Sequence, residues 1–210
     1  NGLYRVGDHL AKLEYPMNTA SLDHAAERFR YLYEAYLKDA GSRVYLSLIP
    51  DKNCFMAAPN GYPSIDYEQF AEELQSRTDY MQYIDIFDLL ELEDYYRTDA
   101  HWRQEKILDV AARLAGGMGV ELTGSYTRKT LEKPFYGVYY GQAALPIAPE
   151  EMNYLTGGAI DTAAVYNYET DTEGGIYDAE KAAGRDPYEM FLSGSVSLLR
   201  IENPQNTSGR

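Results

Sequence analysis

The chain has 210 residues, of which 45% are hydrophobic and 25% are charged, a composition typical of globular proteins and unlike that of disordered or fibrous ones. Its 33 acidic and 19 basic residues give a formal charge of −14, and a surface this acidic repels phosphate backbones and anionic lipid headgroups. The longest apolar runs, such as residues 44–50, are far shorter than the roughly 20 residues of a membrane-spanning helix. We therefore predict no nucleic-acid partner and no membrane-spanning segment in this chain.

The cysteine and tyrosine content narrows the class of protein further. Cys54 is the single cysteine, so the chain has no internal disulfide and no CxxC or zinc-type spacing. Tyrosine is abundant, with 21 residues against one tryptophan and six phenylalanines. Such amphipathic rings are suited either to ordinary packing or to exposed faces and a sugar-contacting cleft.

The first elements are a lead-in and a helix. Residues 1–20 contain glycines and a proline that interrupt any long period, which predicts a short hairpin or irregular lead-in without catalytic residues. From Ser21, apolar residues recur at steps of three and four as far as Ala40, and Gly41 follows. This predicts an amphipathic helix with Ser21 at its N-cap.

The next segments predict alternating strands and helices. Residues 44–49 are a candidate buried strand with a polar turn at 51–53, residues 67–74 a helix, and residues 81–87 a second strand. Helices between strands indicate a parallel sheet with right-handed crossovers, and functional loops usually follow the carboxyl ends of such strands.

A third helix is predicted at 107–114, with two glycines behind it. Beyond residue 122 the chain is rich in Tyr, Thr and Gly, and it alternates in polarity at 129–140, 163–168 and 195–201. The acidic run 169–173 is typical of a solvated loop, with a calcium site as the alternative.

We expect a single domain over residues 1–210. Residues 1–120 form its α/β part, and residues 121–210 form a β-rich insertion followed by the start of the next core strand.

Chemistry is expected around one of three histidines. Of the three, only His101 has a candidate catalytic partner in the sequence, because it follows Asp99 by two residues, whereas His9 and His24 have none. Residues two apart in an extended segment project to the same side. A carboxylate that accepts the Nδ1 proton fixes the imidazole tautomer and leaves Nε2 free to take a proton from a hydroxyl.

Two other interpretations of the pair remain open. Asp99, His101 and Trp102 can equally be a helix-capping carboxylate, a hydrogen-bonded histidine and a packed tryptophan. The pair also suits two metal ligands, although no second histidine or cluster of acids lies at a ligand spacing nearby.

Residues 95–102, Tyr-Tyr-Arg-Thr-Asp-Ala-His-Trp, resemble the signature of the DHHW family, bacterial extracytoplasmic proteins related to the SGNH hydrolases and to alginate O-acetylation proteins. Segments 135–139, 186–194 and 201–204 resemble further family blocks in the same order, so the resemblance covers most of the chain. It implies an α/β fold with an SGNH-hydrolase-like, flavodoxin-like sheet flanked by helices. It also implies an extracytoplasmic location, as a secreted or surface-anchored protein, and no cofactor or metal.

The resemblance also implies roles for individual residues. His101 would be the general base and Asp99 its orienting partner. Trp102 and Arg97 would line or brace the site, and Tyr96 would contact a glycan. Each of these three has an ordinary alternative: a core tryptophan, an arginine in a salt bridge, and a packed tyrosine ring.

The sequence departs from the family pattern at two points. Ala100 stands where the family's name motif has histidine, a position that varies in related acetylation proteins. The family's serine nucleophile is expected shortly after residue 204, in a segment of the Lys-Asp-Ser-Tyr type, and no Asp-Ser pair occurs in the sequence. Ser193, Ser195 and Ser197 are poor substitutes, as is Ser208 near the end. We therefore expect the serine, and the strand that carries it, outside these residues. A second fragment or an envelope protein is the alternative source of that strand.

Three functions follow as hypotheses. The first is a serine-dependent esterase or O-acetyltransferase that acts on cell-surface polysaccharide through an acyl-enzyme. The second is a non-catalytic glycan-binding or scaffold protein of the cell envelope with a hydrolase-like fold. The third is a metal-dependent hydrolase that uses Asp99 and His101 as ligands.

Overall fold

The structure is a computed structural model that describes residues 2–203. It opens with the predicted hairpin, in which β1 (Leu3–Val6) pairs antiparallel with β2 (His9–Lys12). Gly7, in the two-residue turn, has a φ of +56°, which a glycine adopts without steric cost. The hairpin buries Tyr4 and Ala11 against a short helix described below.

The predicted first helix is α1 (Thr19–Leu32), which continues as a π-helical turn over Tyr33–Leu37. The prediction of Ser21 as N-cap is wrong, because the Asn18 side chain accepts a hydrogen bond from the backbone N–H of Ser21 and so caps the helix. Gly41, with a φ of +65°, follows the helical segment as predicted.

A parallel pair of strands follows. β3 (Tyr45–Leu46) leads to the short helix α2 (Asn53–Met56), then to α3 (Tyr67–Arg77), and then to β4 (Gln82–Tyr83), which pairs parallel with β3. The α1 and α3 helices pack together beside this pair. Their shared apolar cluster is formed by Leu22, Ala26 and Leu74, with Leu46 and Leu48 against it.

Both core strands are shorter than the sequence indicates. The pattern at residues 44–49 predicts a buried strand, but only two residues pair, and Ile49 is 59% exposed. A strand needs a hydrogen-bonded neighbour as well as apolar residues. Within residues 2–203 the only neighbour of β3 is β4, so the mixed α/β class is confirmed while a larger flavodoxin-like sheet is not seen there.

The third predicted helix is α4 (Leu108–Gly117). Val110 on this helix packs with Ile86 and Leu90, which follow β4, and Trp102 lies against the same cluster. This contact brings the segment that carries His101 alongside the core.

Between α4 and residue 203, the chain contains two antiparallel sheets and three short α-helices. The predicted strand at 163–168 is present as β7. The bounds are β5 (Thr127–Thr130), α5 (Val138–Ala143), β6 (Asn153–Thr156), α6 (Gly158–Thr162), β7 (Ala164–Asn167), β8 (Thr172–Gly174), α7 (Ala179–Ala183) and β9 (Leu199–Glu202). One sheet pairs β5 with β6, and the other has the order β8-β7-β9.

Two strand predictions are corrected here. The alternation at 129–140 ends in α5 rather than continuing as a strand, because Val138 starts a helix whose backbone is anchored to the candidate site. The predicted core strand at the end is β9, which pairs antiparallel with β7 and not with β3 or β4. The acidic run 169–173 is exposed, as predicted, but only its first part is a loop, because Thr172 and Glu173 pair with β7 as the start of β8.

Candidate functional site

The candidate site is built on a tight loop, residues 96–101, which we call the site loop. The backbone N–H of Tyr96 donates to the carbonyl of His101, and Tyr95 and Trp102 form an antiparallel bridge just outside it. The segment is therefore a turn and not the extended stretch that the sequence analysis assumed. Asp99 meets His101 because one carboxylate oxygen, Oδ1, accepts from both the backbone N–H and the ring of His101.

Asp99 is a buried, well-satisfied carboxylate, with 4% of the residue exposed. Its Oδ1 lies 2.5 Å from His101 Nδ1, and its Oδ2 accepts from the backbone N–H of Val138 at 2.7 Å. Burial by itself raises the pKa of a carboxyl, but the hydrogen bonds from His101 and Val138 outweigh it and hold the pKa of Asp99 below its ordinary value. Asp99 is therefore a fixed anionic acceptor at neutral pH.

His101 presents the opposite face of the pair to solvent, with 54% of its side chain exposed. The hydrogen bond to Asp99 raises the pKa of His101 above the ordinary histidine value, against a smaller lowering effect of burial. With Nδ1–H directed at Asp99, Nε2 is the nitrogen that can exchange a proton. The geometry is that of a general base with its orienting carboxylate.

A second buried carboxylate, Glu150, holds the site loop from below. Its Oε2 accepts from the backbone N–H of Arg97 at 2.9 Å, and its Oε1 accepts from the backbone N–H and the hydroxyl of Thr98. The Thr98 hydroxyl in turn accepts from the backbone N–H of Gly137 at 2.9 Å. This network ties the loop to the start of α5.

Lys52 and the β1–β2 hairpin hold the same loop from another side. Lys52 is 2% exposed, and its Nζ donates to the carbonyls of Tyr96 and Arg97 at 2.9 and 3.0 Å. Burial lowers the pKa of Lys52 to about 8. The Arg97 carbonyl also accepts from the backbone N–H of Leu10, so the lead-in braces the site.

The three residues predicted to line or brace the site or to contact a glycan all make structural contacts in the fold. Tyr96 is fully buried and packs edge-on against Phe135, which removes it from the residues that can touch a glycan. Trp102 packs on the core cluster beside α4. Arg97 lies 3.7 Å from Glu150 and 3.5 Å from Asp8, as expected for a bracing ion pair.

Three residues that contact the site were not predicted as site residues from the sequence. Tyr188 stacks on His101 although it lies far along the chain, and Glu150 and Lys52 look like surface residues. Lys52 follows the predicted strand at 44–49, so the rule that functional loops follow strand ends offered one usable clue.

The serines weighed as substitute nucleophiles are engaged elsewhere or exposed. The Ser193 hydroxyl donates to Asp178, and Ser197 is bound by Glu169. Ser195 is exposed, and Ser208 lies outside the described residues. In residues 2–203 no three His, Cys, Asp or Glu side chains are grouped so as to hold a metal ion, and no helix there is long and apolar enough to cross a bilayer.

Comparison with known proteins gives matches in structure and none in sequence. No protein-family model matches the chain, and neither does any curated protein. A DHHW family protein from Eubacterium siraeum superposes with a TM-score of 0.71 at 19% identity, over 98% of this chain and 71% of that one. The chain has the fold of a DHHW family protein.

Two further solved structures share this fold. Bacillus cereus PatB1, in a structure with a sulfonyl adduct, gives a TM-score of 0.74 at 18% identity, over 98% of this chain and 75% of that one. The O-acetyltransferase domain of Pseudomonas putida AlgJ gives 0.52 at 17% identity, over 70% and 61% of the two chains. The resemblance predicted from residues 95–102 is thus confirmed for the fold.

Proposed function

We propose that this protein is a serine-dependent O-acetyltransferase or esterase that acts outside the cytoplasm on a cell-surface polysaccharide. The observation that carries the proposal is the buried Asp99 carboxylate 2.5 Å from the half-exposed imidazole of His101, in a fold similar to those of PatB1 and AlgJ. The PatB1 structure with a sulfonyl adduct adds support, because sulfonyl reagents modify activated nucleophiles.

The chemistry assigned to the pair is proton transfer. A serine Oγ attacks the carbonyl carbon of an acetyl ester while its proton passes to His101 Nε2, and the resulting imidazolium is stabilised by Asp99. The C–O bond to the leaving alcohol then breaks, and that alcohol takes the proton from Nε2. The acetyl-serine is finally attacked by a sugar hydroxyl or by water, whose proton passes to Nε2 and on to the released serine.

We expect the serine outside these 210 residues, on a strand that joins β3. The carbonyls of Val44 and Leu46 accept hydrogen bonds from β4, so the other edge of β3, at Tyr45 and Ser47, faces away from its only partner within residues 2–203. Beside that edge, an apolar groove of about 570 Å³ runs between α1 and α3. A further strand in this groove would cover its apolar walls.

Two features of the groove favour a strand as its occupant. Ser47 Oγ is buried and has no hydrogen-bond partner among the described residues, so it is available to a neighbouring backbone. Pro50 and Asp51 line the groove, and they directly precede Lys52, which holds the site loop. A nucleophile at the carboxyl end of an added parallel strand would therefore lie on the side of the sheet where the site loop is anchored.

The test is an acetyl-ester assay on the complete natural protein, with 4-nitrophenyl acetate as donor and oligosaccharides as acceptors. His101→Ala should lower kcat at least about a hundredfold, the usual loss for a general base. His24→Ala, which removes an exposed histidine on α1, is the matched control and should retain full activity. Equal activity of the His101→Ala variant would refute the proposed role of the pair.

A non-catalytic glycan-binding function is the second candidate, and one observation favours it. Tyr136 is 45% exposed and lies against Tyr140 with ring centroids 4.6 Å apart, directly beside the α5 segment that binds Asp99. Exposed ring pairs of this kind suit the apolar faces of sugars. This function predicts oligosaccharide binding, measured by calorimetry, that survives His101→Ala and weakens in Tyr136→Ala. No heat with neutral or uronic-acid oligosaccharides would contradict it.

A further inference from the structure

Beyond the Asp99–His101 pair, the imidazole has a second close contact, with the ring of Tyr188. The two ring centroids are 4.2 Å apart and the planes are inclined by 22°, which is a stacked arrangement. Tyr188 belongs to a short 3-10 helix, Pro187–Met190, in the β-rich part of the chain. The contact therefore joins the site loop to segment 186–194, which the sequence analysis identified as a family-like block without assigning a role to Tyr188.

Tyr188 is itself held firmly. Its backbone N–H donates to the Asp186 side chain at 3.0 Å, which caps the 3-10 helix. Its ring meets Tyr96 edge-on at 6.1 Å and lies 5.1 Å from Phe191, both members of the aromatic cluster beneath the loop. Tyr188 thus presents a fixed ring face to the imidazole rather than a mobile side chain.

The hydrogen bond and the stack constrain different degrees of freedom of His101. The bond from Nδ1 to Asp99 fixes the position of one ring atom, while rotation of the half-exposed ring about that bond is not restricted by it. A parallel ring at van der Waals distance fixes the plane. Together the two contacts determine the direction of Nε2.

We propose that Tyr188 is a positioning residue for His101, which sets the plane of the imidazole and so the direction of Nε2. The face of the phenol ring also attracts the imidazolium when Nε2 holds a proton. The charged groups whose fields act on His101 are Asp99 and Asp186, and Tyr188 itself stays neutral, because burial raises its pKa to about 12. The catalytic meaning of this role rests on the proposed function, but the orientation of the ring does not.

The test is proton NMR of the histidine rings, which suits a chain with three histidines. The stack should shift the His101 ring protons upfield relative to those of exposed His24. Tyr188→Phe should keep that shift and Tyr188→Leu should abolish it, while Tyr168→Leu, at an exposed tyrosine, should leave it unchanged. Circular dichroism and a thermal melt of Tyr188→Leu check that the fold persists.

Kinetics provide the second arm. Tyr188→Leu should lower kcat for 4-nitrophenyl acetate about tenfold to a hundredfold with little change in KM, and Tyr188→Phe should restore kcat to within about twofold. A wild-type His101 without an upfield shift, or a Tyr188→Leu enzyme with unchanged kcat, would overturn the proposal. A wild type with the upfield shift but no turnover would refute the proposed function and leave the stacked orientation established.

Discussion

At the scale of single residues, Asp99 and His101 differ in burial in the way that acid–base chemistry requires. The carboxylate is buried and hydrogen-bonded on both oxygens, so it is unable to reorient, whereas the imidazole is half exposed and reaches solvent. The pKa of Asp99 is lowered and that of His101 is raised, so each partner favours the charged state of the other. The pair is stable as an ion pair at mildly acidic pH and becomes a base when His101 loses its proton.

The directions of the two pKa shifts determine how the free energy of unfolding depends on pH. The lowered pKa of Asp99 adds stability above the ordinary aspartate pKa, and this is lost as pH falls through the folded-state pKa. The raised pKa of His101 adds stability below the ordinary histidine value, and this is lost as pH rises through the folded-state pKa. The pair therefore stabilises the fold most between these limits, while the proposed role of His101 as a base requires a pH above its raised pKa.

Asp99→Asn tests this coupling directly. The amide removes the negative charge, so the pKa of His101 should fall from its raised value to near or below the ordinary 6.5. An NMR titration of the three histidines measures the change, and His24 provides the reference. An unchanged His101 titration in Asp99→Asn would contradict the assigned hydrogen bond.

The sequence was sufficient to predict that Asp99 and His101 meet, because the two residues are only two positions apart. It was insufficient for Glu150, Lys52 and Tyr188, which reach the site from distant segments. Their contacts depend on how loops fold back, and a charged or aromatic residue in a loop has no periodicity from which its neighbours can be deduced. The family resemblance was sufficient to predict the fold. It did not predict that Tyr96 is buried, because that depends on how the ring packs against Phe135.

At the scale of elements, the start of α5 is what positions Asp99. The backbone N–H groups of Gly137 and Val138 bind Thr98 and Asp99, and a Cβ on Gly137 would lie 2.5 Å from the Asp99 Cβ and closer still to the Thr98 carbonyl. Glycine is required here for close approach and not for an unusual φ, which is −71°. The contact explains why a strand-like alternation ends in a helix at this point.

Gly137→Ala should therefore disturb the site loop and destabilise the protein by about 1–3 kcal/mol, the usual cost of overpacking. Gly141→Ala is the matched control, because it lies in the same helix and an added Cβ there meets nothing within 4 Å. This second change should be neutral or stabilising by up to about 1 kcal/mol. Urea denaturation measures both, and equal stability of the two variants would contradict the packing described.

Element prediction succeeded where the signal was local and failed where it needed a partner. The helices α1, α3 and α4 follow from apolar periodicity, and the β1–β2 hairpin follows from its glycine turn. The core strands were predicted too long, because apolar runs mark candidate strands while pairing determines how far each extends. The predicted N-cap was Ser21 and the observed one is Asn18, because serine and asparagine cap helices equally well and the sequence does not distinguish them.

At the scale of the whole molecule, the described residues bury their apolar side chains in four separate clusters, and an open groove lies beside β3. The solved structures with the same fold are longer, since this chain spans 71% and 75% of two of them. An added strand on β3 would extend the parallel pair and bring a nucleophile to the sheet edge near Lys52. The added strand and its serine would complete the Asp99–His101 site.

Covalent labelling of the complete natural protein shows whether such a serine exists and depends on His101. We would treat the protein with a sulfonyl fluoride and locate the adduct by peptide mass spectrometry. We expect one modified serine outside residues 1–210, with labelling lost in His101→Ala and retained in His24→Ala. Absence of an adduct, an adduct on Ser193, Ser195 or Ser197, or labelling that is indifferent to His101 would contradict this expectation.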